Sequence, residues 1–436
     1  MGRATFRRFL SISGESGHGA GQVFFGNESA TWTSLLEAGR KRSSIVRQGG
    51  SYVVDPTGGL DALISFFAVA TVPDTALLWV APDNVLMSSP IAPALHEISS
   101  PNGGRLTSPY VGVATSGTTN KPKIPVIRGD ALEIIALHYL SAVFTPVTGR
   151  PSGDIAFATC LPLQFSAALY MTILPALFFG RDLLFHSPHN WRPLAELCER
   201  QTVACQCAPI VAVAGSQSLA HGRDLSNLAL ILGGGHLNEG RLAMIRQQLP
   251  GATIANVYGT AETGVISLDL APGHAAHVGK PVYGKAVWIE NPGVDGIGAV
   301  TVVGPDCMLG YWNEGPPTVS GNAVGVALDY GHMDDEGRLF LDGRLDSGEK
   351  MHGLTIYPRA IERHLLALAG VTDVRVSVRS ASPLREYLSA SVVGTVSEEQ
   401  LQEHCRSLDV SFRPDAFEVI SEQQALSRYS LNGKLQ

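Results

Sequence analysis

Charged side chains are scarce in this chain of 436 residues. Only 16% of the residues are Asp, Glu, Lys or Arg, compared with about 25% in an average globular protein. The 32 basic and 39 acidic residues give a net charge of −7, and no basic run is longer than the cluster at 40–42. Sequence-independent binding to nucleic acid requires clustered Lys and Arg, so we expect no nucleic-acid partner.

Cysteine is also infrequent. Six Cys in a chain of this length do not indicate a disulfide scaffold, and a reducing compartment is the default expectation. Cys198, Cys205 and Cys207 follow His186 and His189, but the spacing matches no zinc motif. We interpret these cysteines as buried thiols.

Residues 155–180 contain no charged side chain, which raises the question of a membrane span. Pro162, Gln164 and Pro175 interrupt the stretch, and proline removes backbone donors that lipid cannot replace. We interpret it as a buried strand, a loop and a core helix. The N-terminal residues carry Arg but lack the apolar core of a signal peptide, so a cytoplasmic protein with no membrane span is expected.

Several common enzyme motifs are missing as well. The chain has no GxSxG turn, HExxH helix or GxGxxG turn. The nearest match to a Walker loop, at 273–280, has one residue too many between its glycines, and Pro281 replaces the Ser or Thr that would hold magnesium. These enzyme classes are therefore excluded.

What the sequence does contain is an alternation of short apolar runs and longer helical patterns, with 45% hydrophobic residues overall. Continuously apolar runs predict buried strands at Ser51–Val54, 76–80, 111–114 and 229–232, as in parallel sheets covered on both faces. An amphipathic helix is predicted at 238–249, capped by Asn238, and another strand at 254–258. The alternation favours an α/β architecture.

The pattern changes beyond about residue 345. A helix at 359–369 ends before Gly370, and Val374, Val376 and Val378 alternate with polar residues as in a half-exposed strand. A further strand is predicted at 387–393, and Ser397 and Gln400 form a capping box for the next helix. These features predict a small α+β unit at the C-terminus.

The most informative segment follows the predicted strand at 111–114. Residues 115–123, TSGTTNKPK, contain four hydroxyl side chains, one Gly and two Lys. Small residues let backbone N–H groups approach an anion, hydroxyls donate to phosphate oxygens, and Lys neutralises charge. The segment is therefore a candidate phosphate-binding loop, although a solvated Ser/Thr loop has the same composition.

Two later segments offer groups that suit a nucleotide. Three glycines at 233–235 expose bare peptide planes against which a flat heterocycle can lie, or else form a tight turn. In NVYGTAE, residues 256–262, Asn256 offers an amide, Tyr258 a ring and Glu262 a carboxylate for magnesium. Asn256 and Tyr258 share one face of the strand, and a core tyrosine with a turn behind it is the alternative.

Taken in chain order, these segments resemble the core motifs of the adenylate-forming superfamily, which includes acyl-CoA synthetases, non-ribosomal peptide adenylation domains and luciferases. The resemblance continues in GKP at 279–281, GYW at 310–312, Asp329, GRLD at 343–346, residues 350–362 and NGK at 432–434. Matched motifs run from residue 115 to 434, about three quarters of the chain, in the family's order and approximate spacing.

The resemblance implies a two-step reaction. A carboxylate attacks the α-phosphorus of Mg-ATP, which releases pyrophosphate and leaves an acyl-adenylate. The thiol of CoA, or of the phosphopantetheine on an acyl or peptidyl carrier protein, then displaces AMP. Because two anions must be brought together, positioning and charge neutralisation are expected to supply most of the acceleration.

The resemblance also implies roles for individual residues. Those that contact ATP are, for the β- and γ-phosphates, Thr115, Ser116, Gly117, Thr118, Thr119 and Lys123, for the adenine, Gly234, Gly235, Asn256 and Tyr258, and for the ribose, Asp329 and Arg344. Glu262 is implied to bind Mg²⁺. Lys434 is implied to bridge the carboxylate and the phosphate in the transition state.

The implied fold is a large N-terminal body, residues 1–345, with mostly parallel sheets flanked by helices, and a small mobile α+β lid, residues 346–436. The N-terminal subdomain of the body is expected to be compressed, because only 114 residues precede the phosphate loop. Asp346 is the implied hinge. Gly353 is implied to leave room for a pantetheine arm when the lid rotates.

The acid pocket is implied to include Phe165, Gly259 and Thr260. Amino-acid-activating members of the family have an Asp at the position of Phe165, where it pairs with the substrate's α-ammonium group. An aromatic ring cannot compensate a buried cation. We therefore expect a small aryl or acyl acid without an α-amino group, while Phe165 as an ordinary core residue is the alternative.

Two other functions stay open at this point. Thr355 replaces an Arg that is common after the hinge, which favours transfer of the acyl group to an amine or another non-thiol nucleophile. The chain could also be a catalytically silent nucleotide-binding partner protein. Intact Lys123, Glu262, Asp329 and Lys434 argue against the silent protein.

Overall fold

The computed structural model describes residues 21–81, 89–99, 106–115, 123–150, 155–219, 223–235, 237, 239–273, 277–293, 296–312, 325–344, 349–351, 354–356, 358–382, 385–429 and 435. Within them the strands are, in chain order, β1 (Gln22–Phe25), β2 (Glu28–Thr31), β3 (Ser51–Val54), β4 (Ala76–Trp79), β5 (Ser89–Ala92), β6 (Leu95–Ile98), β7 (Tyr110–Val113), β8 (Pro125–Arg128), β9 (Ile155–Thr159), β10 (Leu183–Phe185), β11 (Thr202–Cys207), β12 (Leu228–Leu232), β13 (Thr253–Thr260), β14 (Gly264–Asp269), β15 (Lys280–Pro281), β16 (Ala286–Glu290), β17 (Gly298–Val303), β18 (Gly310–Tyr311), β19 (Val326–Met333), β20 (Leu339–Arg344), β21 (Glu349–Met351), β22 (Leu354–Ile356), β23 (Val371–Ser382), β24 (Arg385–Gly394) and β25 (Ala416–Ile420).

The α-helices of the described residues are α1 (Trp32–Arg42), α2 (Leu60–Ala70), α3 (Leu132–Tyr139), α4 (Thr145–Thr148), α5 (Leu174–Phe178), α6 (Arg192–Cys198), α7 (Pro209–Ser216), α8 (Glu239–Gln248), α9 (Pro358–Leu366), α10 (Glu398–His404) and α11 (Glu422–Ala425). Two π-helical segments, Leu140–Phe144 and Ala168–Ile173, continue into α4 and α5.

Two large sheets form the greater part of the fold. A nine-stranded sheet has the order β15-β14-β13-β12-β11-β9-β10-β1-β2, and its strands from β13 to β1 run parallel. A seven-stranded sheet has the order β18-β8-β7-β4-β3-β6-β5 and is parallel only from β7 to β3. The predicted α/β class is confirmed. The seven-stranded sheet is more mixed than expected, because β8 and β6 join it antiparallel.

One hydrophobic core connects the two large sheets. Trp79 of β4 and Phe157 of β9 belong to the same buried cluster, together with Phe66 of α2 and Tyr139 of α3. The helices therefore lie between two apolar sheet faces. This explains why β3, β4, β9 and β12 are buried at every position rather than at alternate ones.

Two smaller units follow along the chain. Strands β16, β17, β19 and β20 form an antiparallel sheet, and β23, β24 and β25 form a second sheet beside α9 and α10. Residues from Met351 to Phe417 build a separate hydrophobic cluster around this second sheet. The C-terminal region is thus the small α+β unit that the sequence predicted.

Most predicted elements agree with the structure within a few residues. The helix predicted at 238–249 is α8, and its apolar face of Leu242, Ile245 and Leu249 is buried; Asn238 lies outside the described residues. Both hydrogen bonds of the predicted capping box are present, between Ser397 and Gln400. The predicted strand around Val376 is longer than expected, because β23 extends over Val371–Ser382.

The uncharged stretch at 155–180 is a strand, a loop and a helical segment, as predicted. β9 is fully buried, and the π-helical segment Ala168–Ile173 and most of α5 are buried too. A different stretch, Gly129–Thr148, is long and apolar enough to cross a membrane by length and composition. Half of it is buried, and core helices of soluble proteins meet the same criterion.

The cysteines singled out in the sequence are buried thiols, as interpreted. Cys198, Cys205 and Cys207 are buried and none is in a disulfide. The Sγ of Cys205 lies 3.6 Å from Nε2 of His186. Burial lowers the pKa of His186 to about 4 and raises that of the Cys205 thiol, so this contact joins two neutral groups.

A buried ion pair joins the C-terminal unit to helix α8. Arg241 donates to Asp373 of β23 at 2.5 Å and to the hydroxyl of Tyr429 at 2.5 Å, and Tyr429 donates to Asp373 at 2.7 Å. The Arg241 and Asp373 side chains are 3% and 6% exposed. Both charges are removed from water, so their mutual contact must replace their hydration.

We predict that Arg241→Met destabilises the protein by about 3–5 kcal/mol, because Asp373 is left buried without its cationic partner. The double variant Arg241→Met/Asp373→Leu should recover most of that loss, since no uncompensated charge remains. Denaturant unfolding measures both effects. The exposed pair Arg192–Glu196 is the control, expected to contribute at most about 1 kcal/mol. Equal losses in the single and double variants would contradict the assigned ion pair.

Candidate functional site

The candidate site residues lie after the carboxyl ends of three strands. Thr115 follows β7, the glycines at 233–235 follow β12, and Glu262 lies in the turn after β13. Ligands of open α/β sheets bind outside the carboxyl ends of the strands. Strands β12 and β13 are neighbours in the nine-stranded sheet, so the glycine segment and the Glu262 turn leave the same edge of it, whereas β7 belongs to the seven-stranded sheet.

The two ends of the candidate phosphate loop are joined by the backbone. The N–H of Thr115 donates to the carbonyl of Lys123 at 2.8 Å, beside the antiparallel pair β7 and β8. Ser116, Gly117, Thr118 and Thr119 lie outside the described residues. The described ends fix where the loop leaves the sheet and where it returns.

Strand β18 connects this loop to the rest of the site. It pairs with β8, and the N–H groups of Leu309 and Trp312 donate to the carbonyls of Val126 and Ile124, both at 2.8 Å. The GYW motif is thus hydrogen-bonded to the strand that begins just after Lys123. Trp312 is fully buried, which anchors the motif against the seven-stranded sheet.

Lys123, Tyr311 and Glu262 come together from three distant parts of the sequence. The Nζ of Lys123 lies 5.0 Å from the centroid of the Tyr311 ring, within the range of a cation–π contact. The Tyr311 hydroxyl donates to Oε1 of Glu262 at 3.2 Å. A cation, a hydroxyl and a carboxylate therefore lie side by side in space at the exit of the phosphate loop.

The Glu262 carboxylate suits a magnesium ion that is also held by phosphates. Glu262 is 6% exposed, and its backbone carbonyl accepts from the N–H of Met308 at 2.7 Å. In the described part of the chain no three His, Cys, Asp or Glu side chains cluster as metal ligands. Mg²⁺ is commonly held by one or two carboxylates together with substrate phosphates, so a single carboxylate beside the phosphate loop fits it.

The residues predicted to contact adenosine lie on neighbouring elements. Tyr258 of β13 donates its hydroxyl to Asp329 of β19, and Arg344 of β20 is paired with Asp329 across the strands. Val257 packs against the central core, whereas Tyr258 packs against the cluster around Ile266. Successive residues of β13 therefore face opposite sides, so Asn256 and Tyr258 share a face as predicted.

The glycine segment after β12 has the open backbone that was predicted. Gly234 has φ of +77°, and a Cβ there would meet nothing within 4 Å. Gly233 is closely packed, since a Cβ would lie 2.8 Å from Cγ2 of Val257. A glycine turn that presents one exposed peptide plane at 234–235 is compatible with both a nucleotide platform and a tight strand-to-helix turn.

The three residues predicted for the acid pocket lie on two elements. Gly259 must be glycine, because a Cβ would lie 2.1 Å from the carbonyl oxygen of Gly264. Thr260 closes the following turn through Thr263, with their Oγ1 atoms 2.9 Å apart. Phe165 is half-buried at the start of the helical segment that follows β9. Its placement beside Gly259 and Thr260 stays a prediction.

The remaining predicted residues, Asp346, Gly353 and Lys434, lie outside the described residues, and their roles stay predictions. Sequence reasoning missed the contacts of Tyr311, which it noted only within a minor motif. It also missed the buried pair of Lys285 and Asp306. No local pattern identifies such a pair, because its members are 21 residues apart in the chain.

Comparisons with known proteins agree with this arrangement. The sequence profile of the AMP-binding enzyme family matches residues 81–312, more than half of the chain. The chain is similar to indoleacetate–CoA ligase of Aromatoleum aromaticum, with 29% identity over 66% of this chain and 57% of the relative. It is similar to 2-succinylbenzoate–CoA ligase of Bacillus licheniformis, with 29% identity over 70% and 65%. A third relative is the nonribosomal peptide synthetase verP of Clonostachys rogersoniana, with 26% identity over 71% and 15%. The sequence match therefore spans less than two thirds of the length of these two CoA-ligase relatives.

Solved structures show the same fold. ATP-bound MatB from Rhodopseudomonas palustris superposes with a TM-score of 0.71 at 16% identity over 98% of each chain. O-succinylbenzoate coenzyme A synthetase from Bacillus subtilis, in complex with ATP and magnesium ion, gives 0.69 at 17% identity over 99% of this chain and 98% of that one. The matched profile includes the phosphate loop, the glycine segment, Glu262 and Tyr311. This chain belongs to the AMP-binding enzyme family.

Proposed function

We propose that the protein activates a carboxylic acid with Mg-ATP to an acyl-adenylate, releases pyrophosphate, and transfers the acyl group to a thiol. The observation that carries this proposal is the meeting of Lys123, Tyr311 and Glu262 at the exit of the phosphate loop. The names of the CoA-ligase relatives support the same reaction class, and we expect it to take place in the cytoplasm.

In this proposal the described residues position the nucleotide. Lys123 neutralises the charge of the β- and γ-phosphates, while Tyr258 and Asp329 contact the adenosine. A magnesium ion held at Glu262 would neutralise phosphate charge. Residues that hold both ends of the nucleotide would restrict the orientation of its α-phosphorus toward the acid, and this would lower the entropic barrier to attack.

We further propose that the C-terminal region, residues 346–436, acts as a lid that rotates about Asp346 between the two half-reactions. In the first orientation Lys434 bridges the carboxylate and the phosphate. In the second, Gly353 lines the path of the pantetheine arm. The separate hydrophobic cluster of the C-terminal unit supports this proposal, because a unit with its own core can move without unfolding.

The substrate class follows from Phe165. An aromatic ring at the position of an ammonium-binding carboxylate favours an aryl or acyl acid without an α-amino group. Indoleacetate and 2-succinylbenzoate, named for the two CoA-ligase relatives, are acids of this kind. CoA is the proposed acceptor, and a carrier-protein phosphopantetheine is retained as the alternative because a peptide synthetase is among the relatives.

The central test is acid-dependent exchange of labelled pyrophosphate into ATP. We expect exchange with the wild-type protein, and a loss of about 100-fold or more in Glu262→Gln because the metal-binding charge is removed. Glu37→Gln, on the exposed face of α1, is the matched control and should exchange like the wild type. If no acid of any class supports exchange, the proposed adenylation is wrong.

The same assay tests the choice of acid. Aryl, fatty and α-amino acids are compared at equal concentration, and α-amino acids are expected to be at least about 100-fold poorer because their ammonium group has no buried partner. Phe165→Asp should narrow this difference, since a carboxylate then faces the ammonium group. A wild-type preference for an α-amino acid would contradict the role given to Phe165.

The two half-reactions separate the role of Lys434. In Lys434→Ala we expect adenylate formation to fall by about 100-fold or more, whereas transfer from supplied acyl-adenylate to CoA should be largely retained. Lys41→Ala, an exposed residue of α1, is the control. Equal damage to both half-reactions would contradict the assignment. Transfer to a holo-carrier protein or to an amine in place of CoA would identify the acceptor.

A further inference from the structure

A buried cluster of charged and polar groups lies directly behind the Glu262 turn. The Nζ of Lys285 donates to the carboxylate of Asp306 and to the carbonyl oxygen of Thr263. The hydroxyl of Tyr139 donates to the other oxygen of Asp306 at 2.6 Å. The Lys285 and Asp306 side chains are 0% and 2% exposed. We call Lys285, Asp306 and Tyr139 the buried triad.

The triad connects segments that are distant in sequence. Tyr139 ends helix α3, Lys285 lies between β15 and β16, and Asp306 lies between β17 and β18. All three converge on the turn between β13 and β14, which carries Glu262. The cluster therefore joins the central core, the antiparallel sheet and the GYW segment at this turn.

The charges within the cluster are set by its surroundings. Burial raises the pKa of Tyr139, so its hydroxyl keeps the proton that it donates to Asp306. Burial also raises the pKa of Cys307, whose Sγ lies 3.7 Å from Lys285, and lowers the pKa of the neighbouring His138. The contact between Lys285 and Asp306 is the ion pair of the cluster.

The backbone of the turn is shaped to accept the triad. Gly264 has φ of +63°, and a Cβ there would lie 1.9 Å from Oδ2 of Asp306 and 2.5 Å from the hydroxyl oxygen of Tyr139. Only glycine permits this approach. The carbonyl of Thr263 is held by Lys285 and that of Glu262 by the N–H of Met308, so both peptides after the Glu262 side chain are fixed.

A buried ion pair is a poor means of adding stability, because apolar residues of similar size commonly serve as well. Its directional contacts do fix geometry, however. Here Lys285 is hydrogen-bonded to the carbonyl of Thr263 in the turn that carries Glu262, and Asp306 and Tyr139 lie against Gly264 of the same turn. We propose that Lys285, Asp306 and Tyr139 are positioning residues that hold the Glu262 turn so that its carboxylate meets the magnesium ion and the phosphates. This inference rests on the proposed function. It adds the residues that set the Mg²⁺ requirement of the proposed reaction.

The test uses Lys285→Met, which keeps the length of the side chain but cannot donate to Thr263 or pair with Asp306. The concentration of Mg²⁺ that gives half-maximal pyrophosphate exchange should rise about tenfold or more, as for outer-shell partners of metal ligands, while the KM for the acid stays unchanged. Lys41→Met on α1 is the matched control and should behave like the wild type.

Two further variants separate positioning from folding. Lys285→Met/Asp306→Leu removes both charges, so its thermal stability should approach that of the wild type while its Mg²⁺ requirement stays raised. Tyr139→Phe removes one hydroxyl and should give a smaller shift in the same direction. Calorimetric titration with ATP at several Mg²⁺ concentrations measures the same shift without turnover.

The outcomes are distinct. A raised Mg²⁺ requirement in the double variant, with an unchanged KM for the acid, supports the proposal. A wild-type Mg²⁺ requirement in the double variant overturns it, and so does a uniform loss in acid, ATP and Mg²⁺ parameters that follows the loss of stability. If the wild type shows no acid-dependent exchange, the proposed function is wrong, and the calorimetric titrations still decide whether the triad controls Mg-ATP binding.

Discussion

The pairing of β18 with β8 is the contact on which the site depends. This two-residue strand joins the edge of the seven-stranded sheet by pairing with β8, the strand that follows the phosphate loop. In the segment that leads into β18, the N–H of Met308 donates to the carbonyl of Glu262. Tyr311 is therefore placed between Lys123, which precedes β8, and Glu262, which lies in the turn after β13. The pairing thus links the end of the phosphate loop to the turn that carries Glu262.

Much of the fold could be predicted because local signals and burial agree. The apolar runs of β3, β4 and β12, the buried face of α8 and the capping box at Ser397 all express a preference that the tertiary structure keeps. The antiparallel joining of β8 and β6 was not predictable in the same way. It depends on which neighbour completes a sheet edge, and no periodicity within a strand records that choice.

The site residues also fall into two groups, those that local motifs predict and those that depend on tertiary contacts. Thr115, Lys123, Glu262, Tyr258 and Asp329 could be proposed as site residues because they lie in short motifs with a recognisable order. The contact between Tyr311 and Glu262 could not, since it arises from the pairing of two strands. The pair of Lys285 and Asp306 is a stronger case. Each residue alone looks like an ordinary surface charge, and only the folded chain shows that both are buried.

The contact of Arg241 with Asp373 and Tyr429 has a consequence for how the C-terminal unit is attached. An apolar seam loses free energy in proportion to the area it exposes on opening. Here two charges are released into water and regain their hydration, which offsets much of the attraction that is lost. When such a joint closes, it re-forms in one register because the donors and acceptors are directional. The attachment is therefore specific in its geometry. Once it is open, dissolved ions compete for the charges of Arg241 and Asp373.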